Sequence, residues 1–160
     1  MNQVVVKQEK SGYQIVEAYK SLRTNLQFCG EDKKVIAVTS CTPNEGKSSV
    51  SMQLGISLAE SGKRVILIDA DLRKSVLLGR TKTQKSVRGL AHFLSGQATL
   101  EDVICSTNVK NFYMIYSGPF PPNPAELLGG KNFRSLLNAL RKVYDYVIVD
   151  TPPLGSVIDS

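Results

Sequence analysis

The sequence predicts a doubly wound α/β fold: a mainly parallel sheet covered by helices on both faces, in three α/β/α layers. Three observations predict it. Residues 35–38 (VIAV) form a short β-branched run that passes through a small polar loop into Gly46, Lys47, Ser48 and Ser49, where an amphipathic segment begins. Two further apolar runs, residues 65–68 (VILI) and 146–149 (YVIV), each end in an aspartate, Asp69 and Asp150. Uninterrupted apolar runs are expected of parallel strands buried on both faces. Between these runs lie segments of helical period, and the order β-loop-α-β-α-β-α-β requires right-handed crossovers onto a parallel sheet.

The bulk numbers fit one domain with a sizeable core: 160 residues, 42% hydrophobic and 21% charged. A net charge of +6 suits nucleic acid, an anionic membrane surface or simply a solvated surface around a nucleotide site. The basic residues are spread rather than blocked, and no nucleic-acid motif accompanies them, so no nucleic-acid partner is expected. Cys29, Cys41 and Cys105 are odd in number and lack CxxC spacing, which argues against a disulfide framework or zinc site and for a reducing, cytosolic compartment. The polar start at Met1 lacks the apolar core of a signal peptide, and no stretch approaches the ~18 apolar residues needed to cross a bilayer.

Taken in order, residues 1–11 (MNQVVVKQEKS) read as a flexible lead-in, within which residues 4–6 are able to dock as a short extended piece. Residues 12–160 form the domain. From residue 13 to about residue 28, Ile15, Ala18, Tyr19, Leu22 and Leu26 recur at helical spacing. Glu17, Lys20 and Arg23 climb one side of that helix, as a self-paired solvated face or as a subunit contact. After the loop, Val50, Leu54, Leu58 and Ala59 repeat at helical spacing and Gly62 stops the helix. Residues 74–88 (KSVLLGRTKTQKSVR) are basic and polar and read as a mobile loop. Residues 89–94 and 100–104 read as short helices around the turn Ser95-Gly96-Gln97, with His92 a surface or packing residue. Residues 112–116 (FYMIY) are a strand, residues 117–124 (SGPFPPNP) a proline-rich stop, and residues 125–128 and 133–143 helical turns.

The chemistry begins at residues 35–49 (VIAVTSCTPNEGKSS), a strand, phosphate loop and helix start of P-loop form. In such a loop the backbone N–H groups and the positive helix end hold phosphate, the lysine reaches the β/γ-phosphates and the hydroxyl holds Mg²⁺. Here Thr42, Pro43, Asn44, Glu45, Gly46, Lys47, Ser48 and Ser49 form the nucleotide cradle, Lys47 is the lysine and Ser48 the metal-side hydroxyl. The pattern departs from GxxxxGK[ST] at its first glycine, which is Cys41. Asp150 stands where a Walker B aspartate helps hold the metal. Asp69 and Asp71 flank one small residue at a strand's carboxyl end, where α/β folds bind ligands. A plain nucleotide binder has little need of them, whereas phosphoryl transfer needs a base or orienting carboxylate, and Arg73 offsets charge on the transferred group. Asp69 also serves as metal support. ATP and Mg²⁺ are the cofactors this set implies.

These residues resemble the bacterial tyrosine kinases of capsular and exopolysaccharide biosynthesis, a P-loop family with a deviant, partition-ATPase-like Walker A. The resemblance rests on EAYKSLRTNLQF (residues 17–28), SCTPNEGKSS (40–49), VILIDADLRK (65–74), GPFPPNPAELL (118–128) and VIVDTPP (147–153). It implies a non-specific protein-tyrosine kinase that uses Mg-ATP to phosphorylate a C-terminal tyrosine cluster in trans and so regulates polysaccharide polymerisation and export. It also implies a homo-oligomeric ring assembled through Glu17, Lys20 and Arg23, with Lys20 replacing the usual arginine and its bidentate fork. A membrane-spanning activator is implied as partner, which would hold the protein at the cytoplasmic face of the plasma membrane without direct insertion.

The resemblance covers roughly the first two-thirds of such a kinase, and neither the remaining strands nor the tyrosine cluster is present before Ser160. The sequence reading is therefore of a truncated chain without autokinase activity of its own. Two other readings stand beside it. Partition and cell-division ATPases share the fold but carry an extra lysine where Thr42 stands here. A non-catalytic regulatory fragment would keep the nucleotide pocket and the subunit contact alone.

Overall fold

The computed structural model describes residues 2–6, 35–38, 47–70, 81–83, 88–118 and 123–150. The helix expected over residues 13–28, with Glu17, Lys20 and Arg23, lies outside them. In chain order the elements are β1 (Asn2–Val6), β2 (Val35–Val38), α1 (Lys47–Glu60), β3 (Val65–Asp69), β4 (Thr81–Thr83), α2 (Leu90–Leu94), α3 (Leu100–Val103), β5 (Cys105–Thr107), β6 (Phe112–Ile115), α4 (Pro124–Leu128), α5 (Lys131–Val143) and β7 (Tyr146–Asp150).

The strands make one seven-stranded sheet in the order β2-β7-β3-β6-β5-β1-β4. Strands β2, β7, β3 and β6 run parallel. Beyond them β5 is antiparallel to β6, β1 parallel to β5, and β4 antiparallel to β1. The expectation of a mainly parallel α/β sheet is met.

Alternation along the strands sorts the core into two halves. Val65, Leu67, Tyr146, Ile148, Phe112 and Met114 pack with Met52, Leu54, Leu58 and Ala59 of α1. On the other face Ile66, Ile68, Val147, Val149 and Ile115 pack with Leu90, Ala91 and Leu94 of α2 and Leu136 and Leu140 of α5. Both faces are thus covered, which is why β3 and β7 are buried at every position.

Helix α1 lies very close to the sheet. A Cβ built on Gly55 would come within 2.5 Å of Cε1 of the Phe112 ring, so only glycine fits there without movement. The helix ends through the Ser61–Gly62 turn, whose amides return to the carbonyls of Ser57, Leu58 and Ala59.

Three strands differ from the sequence expectation. Residues 2–6 form strand β1, paired on both sides, with Val4 buried in the α1-side core: the extended piece allowed for residues 4–6 is present, and it starts at Asn2, where a flexible lead-in was expected. The expected mobile loop over residues 74–88 contains β4, whose register sets Thr83 against Val4. Residues 105–107 form β5, where no strand was expected. For β4 and β5 the physical reason is shared: these are three-residue strands at the antiparallel side of the sheet, held by backbone pairing, and so they leave little apolar pattern in the sequence.

Candidate nucleotide site

The carboxyl ends of three neighbouring strands form a level row. Val38, the last residue of β2, is the register partner of Asp150, and Asp150 is in turn the partner of Asp69. The row is locked beyond the last rung, because the Ala70 amide donates to the carbonyl of Asp150 at 2.9 Å. Both aspartates are only 1% exposed.

Alternation decides which way the row faces. Positions 65, 67 and 69, positions 146, 148 and 150, and positions 36 and 38 lie on one side of the sheet. Leu67, Ile148, Ile36 and Val38 of that set belong to the α1-side core. Asp69 and Asp150 therefore occupy the face that α1 covers. Helix α1 begins at Lys47, after the segment that leaves β2 at Val38, so its positive end opens above the same strand ends. The backbone of Lys47, Ser48 and Ser49 forms its first turn. Residues 42–46 of the expected cradle lie outside the described residues, as do Asp71 and Arg73.

Two carboxylates buried side by side on adjacent strands, which are about 4.8 Å apart, repel one another unless a cation or protons intervene. Among the described residues no group of three or more His, Cys, Asp or Glu side chains gathers. Two buried carboxylates in register are the kind of donor set that magnesium uses when phosphates and waters complete its shell. The residues present fit a magnesium–nucleotide complex.

One further group on α1 was not singled out from the sequence. Ser51 is fully buried and its Oγ has no hydrogen-bond partner. It lies one turn before Gly55, on the stripe that faces the sheet. The signal available in the sequence was a run of small residues, Ser51 and Gly55, at helical spacing within an otherwise apolar face.

Beside the row, α2 is tied to the exit of β6. The amides of Leu90 and Ala91 donate to the carbonyls of Tyr116 and Ser117 at 2.6 and 2.9 Å. A Cβ on Gly89 would fall 2.3 Å from the Gly118 nitrogen, so this backbone contact requires glycine. His92 is a local packing group here: its Nδ1 accepts the Gly89 N–H at 2.9 Å. Ile68 and Ile115 are register partners, so Ala70 and Ser117 stand two residues further on at the same edge. The segment from residue 118, which carries the proline-rich stretch, leaves from beside Asp69.

A parallel sheet with a helix start and two buried acidic strand ends in register defines a P-loop nucleotide-binding protein. Residues 33–160 match the AAA domain family. The chain belongs to that family, and its sequence is similar to bacterial tyrosine-protein kinases. It is 44% identical over 144 residues to the tyrosine-protein kinase CpsD of Streptococcus agalactiae, covering 90% of this chain and 63% of that protein. The kinase domain of Escherichia coli tyrosine kinase ETK superposes with a TM-score of 0.81 at 38% identity, over 90% of this chain and 57% of that one. The septum site-determining protein MinD of Pyrococcus horikoshii, complexed with Mg-ADP, superposes with a TM-score of 0.62 at 27% identity, over 76% and 49%. This chain thus spans somewhat under two-thirds of the CpsD length. No described helix is long and apolar enough to cross a membrane.

Proposed function

We propose that this chain is the nucleotide-binding and catalytic portion of an Mg-ATP-dependent protein-tyrosine autokinase that regulates capsular or exopolysaccharide polymerisation and export. The observation that carries the reading is the level row of Asp69 and Asp150 beside the strand that enters the phosphate loop. Lys47 reaches the β/γ-phosphates, with the amides of residues 42–49 around them. Ser48 and Asp150 hold Mg²⁺ with support from Asp69. Asp71 orients the attacking tyrosine hydroxyl or takes its proton, and Arg73 offsets charge on the transferred phosphoryl group. When bound, the ion neutralises charge between the phosphates.

The acceptor is a C-terminal tyrosine cluster of a neighbouring subunit in a ring, and Glu17, Lys20 and Arg23 make the subunit contact. A membrane-spanning activator holds the ring at the cytoplasmic face, and nucleic acid is not a partner. Thr42, where partition ATPases carry their second lysine, favours this reading over a partition-type ATPase.

Titration with Mg-ATP tests the pocket. The unsubstituted chain is expected to bind, and Lys47→Ala and Asp150→Asn to bind at least tenfold more weakly. Mapping of phosphotyrosine on the native product tests the activity. Phosphate released from ATP with no phosphotyrosine on that product would place the protein among the ATPases instead.

A further inference from the structure

Ser51 is the one buried side-chain polar atom among the described residues that lacks a hydrogen-bond partner. Such groups are rare in folded proteins, and each calls for a reason. A serine buried in a helix ordinarily bonds back to the carbonyl one turn earlier, but Ser51 Oγ makes no such bond. As a mere filler it is poorly chosen, because alanine would occupy the same space without a hydroxyl to strip of water.

Its position supplies the reason. Gly55, one turn further along α1, sits against the Phe112 ring, so the stripe through residues 51 and 55 faces the sheet. Going the other way, one turn before Ser51 is Lys47, the first residue of the helix. On the sheet, the face beneath α1 is apolar through Leu67 and Ile148 and turns acidic at Asp69 and Asp150. By helical spacing Ser51 thus stands between the apolar packing and the start of the helix above the acidic row.

We propose that Ser51 is a positioning residue of the nucleotide site. When magnesium and nucleotide are seated, its hydroxyl donates into the hydrogen-bonded shell of water and carboxylate oxygens around Asp69 and Asp150. It holds that shell in place without touching substrate. The inference rests on the magnesium–nucleotide reading of the pocket and extends it one helical turn inward.

The test compares the unsubstituted chain with Ser51→Ala and Ser51→Cys in three measurements: thermal midpoint without nucleotide, ATP affinity with Mg²⁺, and ATP affinity in EDTA. Loss of one hydrogen bond predicts about three- to tenfold weaker binding with Mg²⁺ for Ser51→Ala. Affinity in EDTA stays unchanged, and the thermal midpoint stays level or rises because an unpaired polar atom is gone. Ser51→Cys, nearly the same size with a weaker donor, falls between.

Equal affinities with Mg²⁺ across the three proteins overturn the proposal. So does a fall in thermal midpoint with parallel losses in both affinities, which marks a packing role. Failure of the unsubstituted chain to bind Mg-ATP overturns the nucleotide reading itself, and this inference with it.

Discussion

The approach of α1 to the sheet at Gly55 makes a prediction in which two effects of known sign oppose each other. Replacing a glycine inside a helix with alanine ordinarily stabilises by about 1 kcal/mol, because the unfolded chain loses freedom and the helix gains propensity. Here the new Cβ would stand 2.5 Å from Cε1, 3.2 Å from Cζ and 3.3 Å from Cδ1 of Phe112. Phe112 is 1% exposed, so its ring cannot swing into solvent. Overpacking of this kind costs about 1–3 kcal/mol. Taking about 2 kcal/mol for the clash and about 1 kcal/mol for the propensity gain, Gly55→Ala is destabilising by about 1 kcal/mol.

The Phe112→Leu background separates the two effects. It deletes Cε1 and Cζ and so removes the two closest contacts. In that background the alanine keeps its propensity gain, and Gly55→Ala is expected to stabilise by about 1 kcal/mol. The cycle closes with a coupling of about 2 kcal/mol, within the range seen for residues in contact. Denaturant midpoints at constant m-value measure all four proteins. For a chain of this size each kcal/mol moves the melting temperature by about 2–4 °C. If Gly55→Ala stabilises by the same amount in both backgrounds, α1 does not lie against Phe112 and the register of helix on sheet is wrong. A displaced helix also moves Lys47, so weaker nucleotide binding by the single variant is expected alongside.

Two further predictions concern the edges of the site. Gly89→Ala forces its Cβ to 2.3 Å from the Gly118 nitrogen, a backbone atom that cannot rotate away. It is expected to destabilise by about 1–3 kcal/mol or more and to raise hydrogen exchange at Leu90 and Ala91, whose amides are bonded to Tyr116 and Ser117. Cys105 is buried in the α1-side core, and burial pushes its thiol up to about 11. Between pH 9 and about 11 the folded protein therefore keeps a proton that the unfolded chain has released, so stability is full below pH 9 and falls as pH rises through that window. Denaturant midpoints across pH 8–11 check this, and Cys105→Val is expected to flatten that part of the profile. Alkylation of the native thiol at pH 8 is expected to track unfolding.

How much could be read in advance differs by element. Strands β3 and β7 announced themselves as continuous apolar runs because each is buried at every position, β2 as a β-branched run leading into the glycine-lysine loop, and Asp69 and Asp150 were legible because a charge ending such a run must face a cavity or water. Strands β4 and β5 were not, and β1 was legible only as a short extended piece over residues 4–6. The three residues of β4 carry a lysine between two threonines, and what holds them is the backbone ladder to residues 4–6. Asn2–Val6 holds three consecutive valines, but five residues at the start of a sequence do not show which strands will receive them. Ser51 left only a weak signal, its small-residue spacing with Gly55. A helical serine is ordinary by pattern, and only the depth of its burial and the absence of a partner set it apart.

The strand order gives the site a particular dependence. Sequence places β2 and β3 around α1, yet in the sheet they do not touch: β7, more than 75 residues after β3 by the numbering, lies between them. Among the described strands, the phosphate-loop strand is thus joined to the rest of the sheet through β7 alone, whose rungs run from Val147 to Asp150 on one side and from Tyr146 to Asp150 on the other. The same insertion that closes the sheet brings Asp150 between Val38 and Asp69. The strand that joins β2 to the described sheet is therefore the same strand that brings the acidic row into register. That is the physical reason the row is buried: its carboxylates are carried in on strands whose other residues are the most apolar in the chain, and α1, laid flat by Gly55, covers them from above.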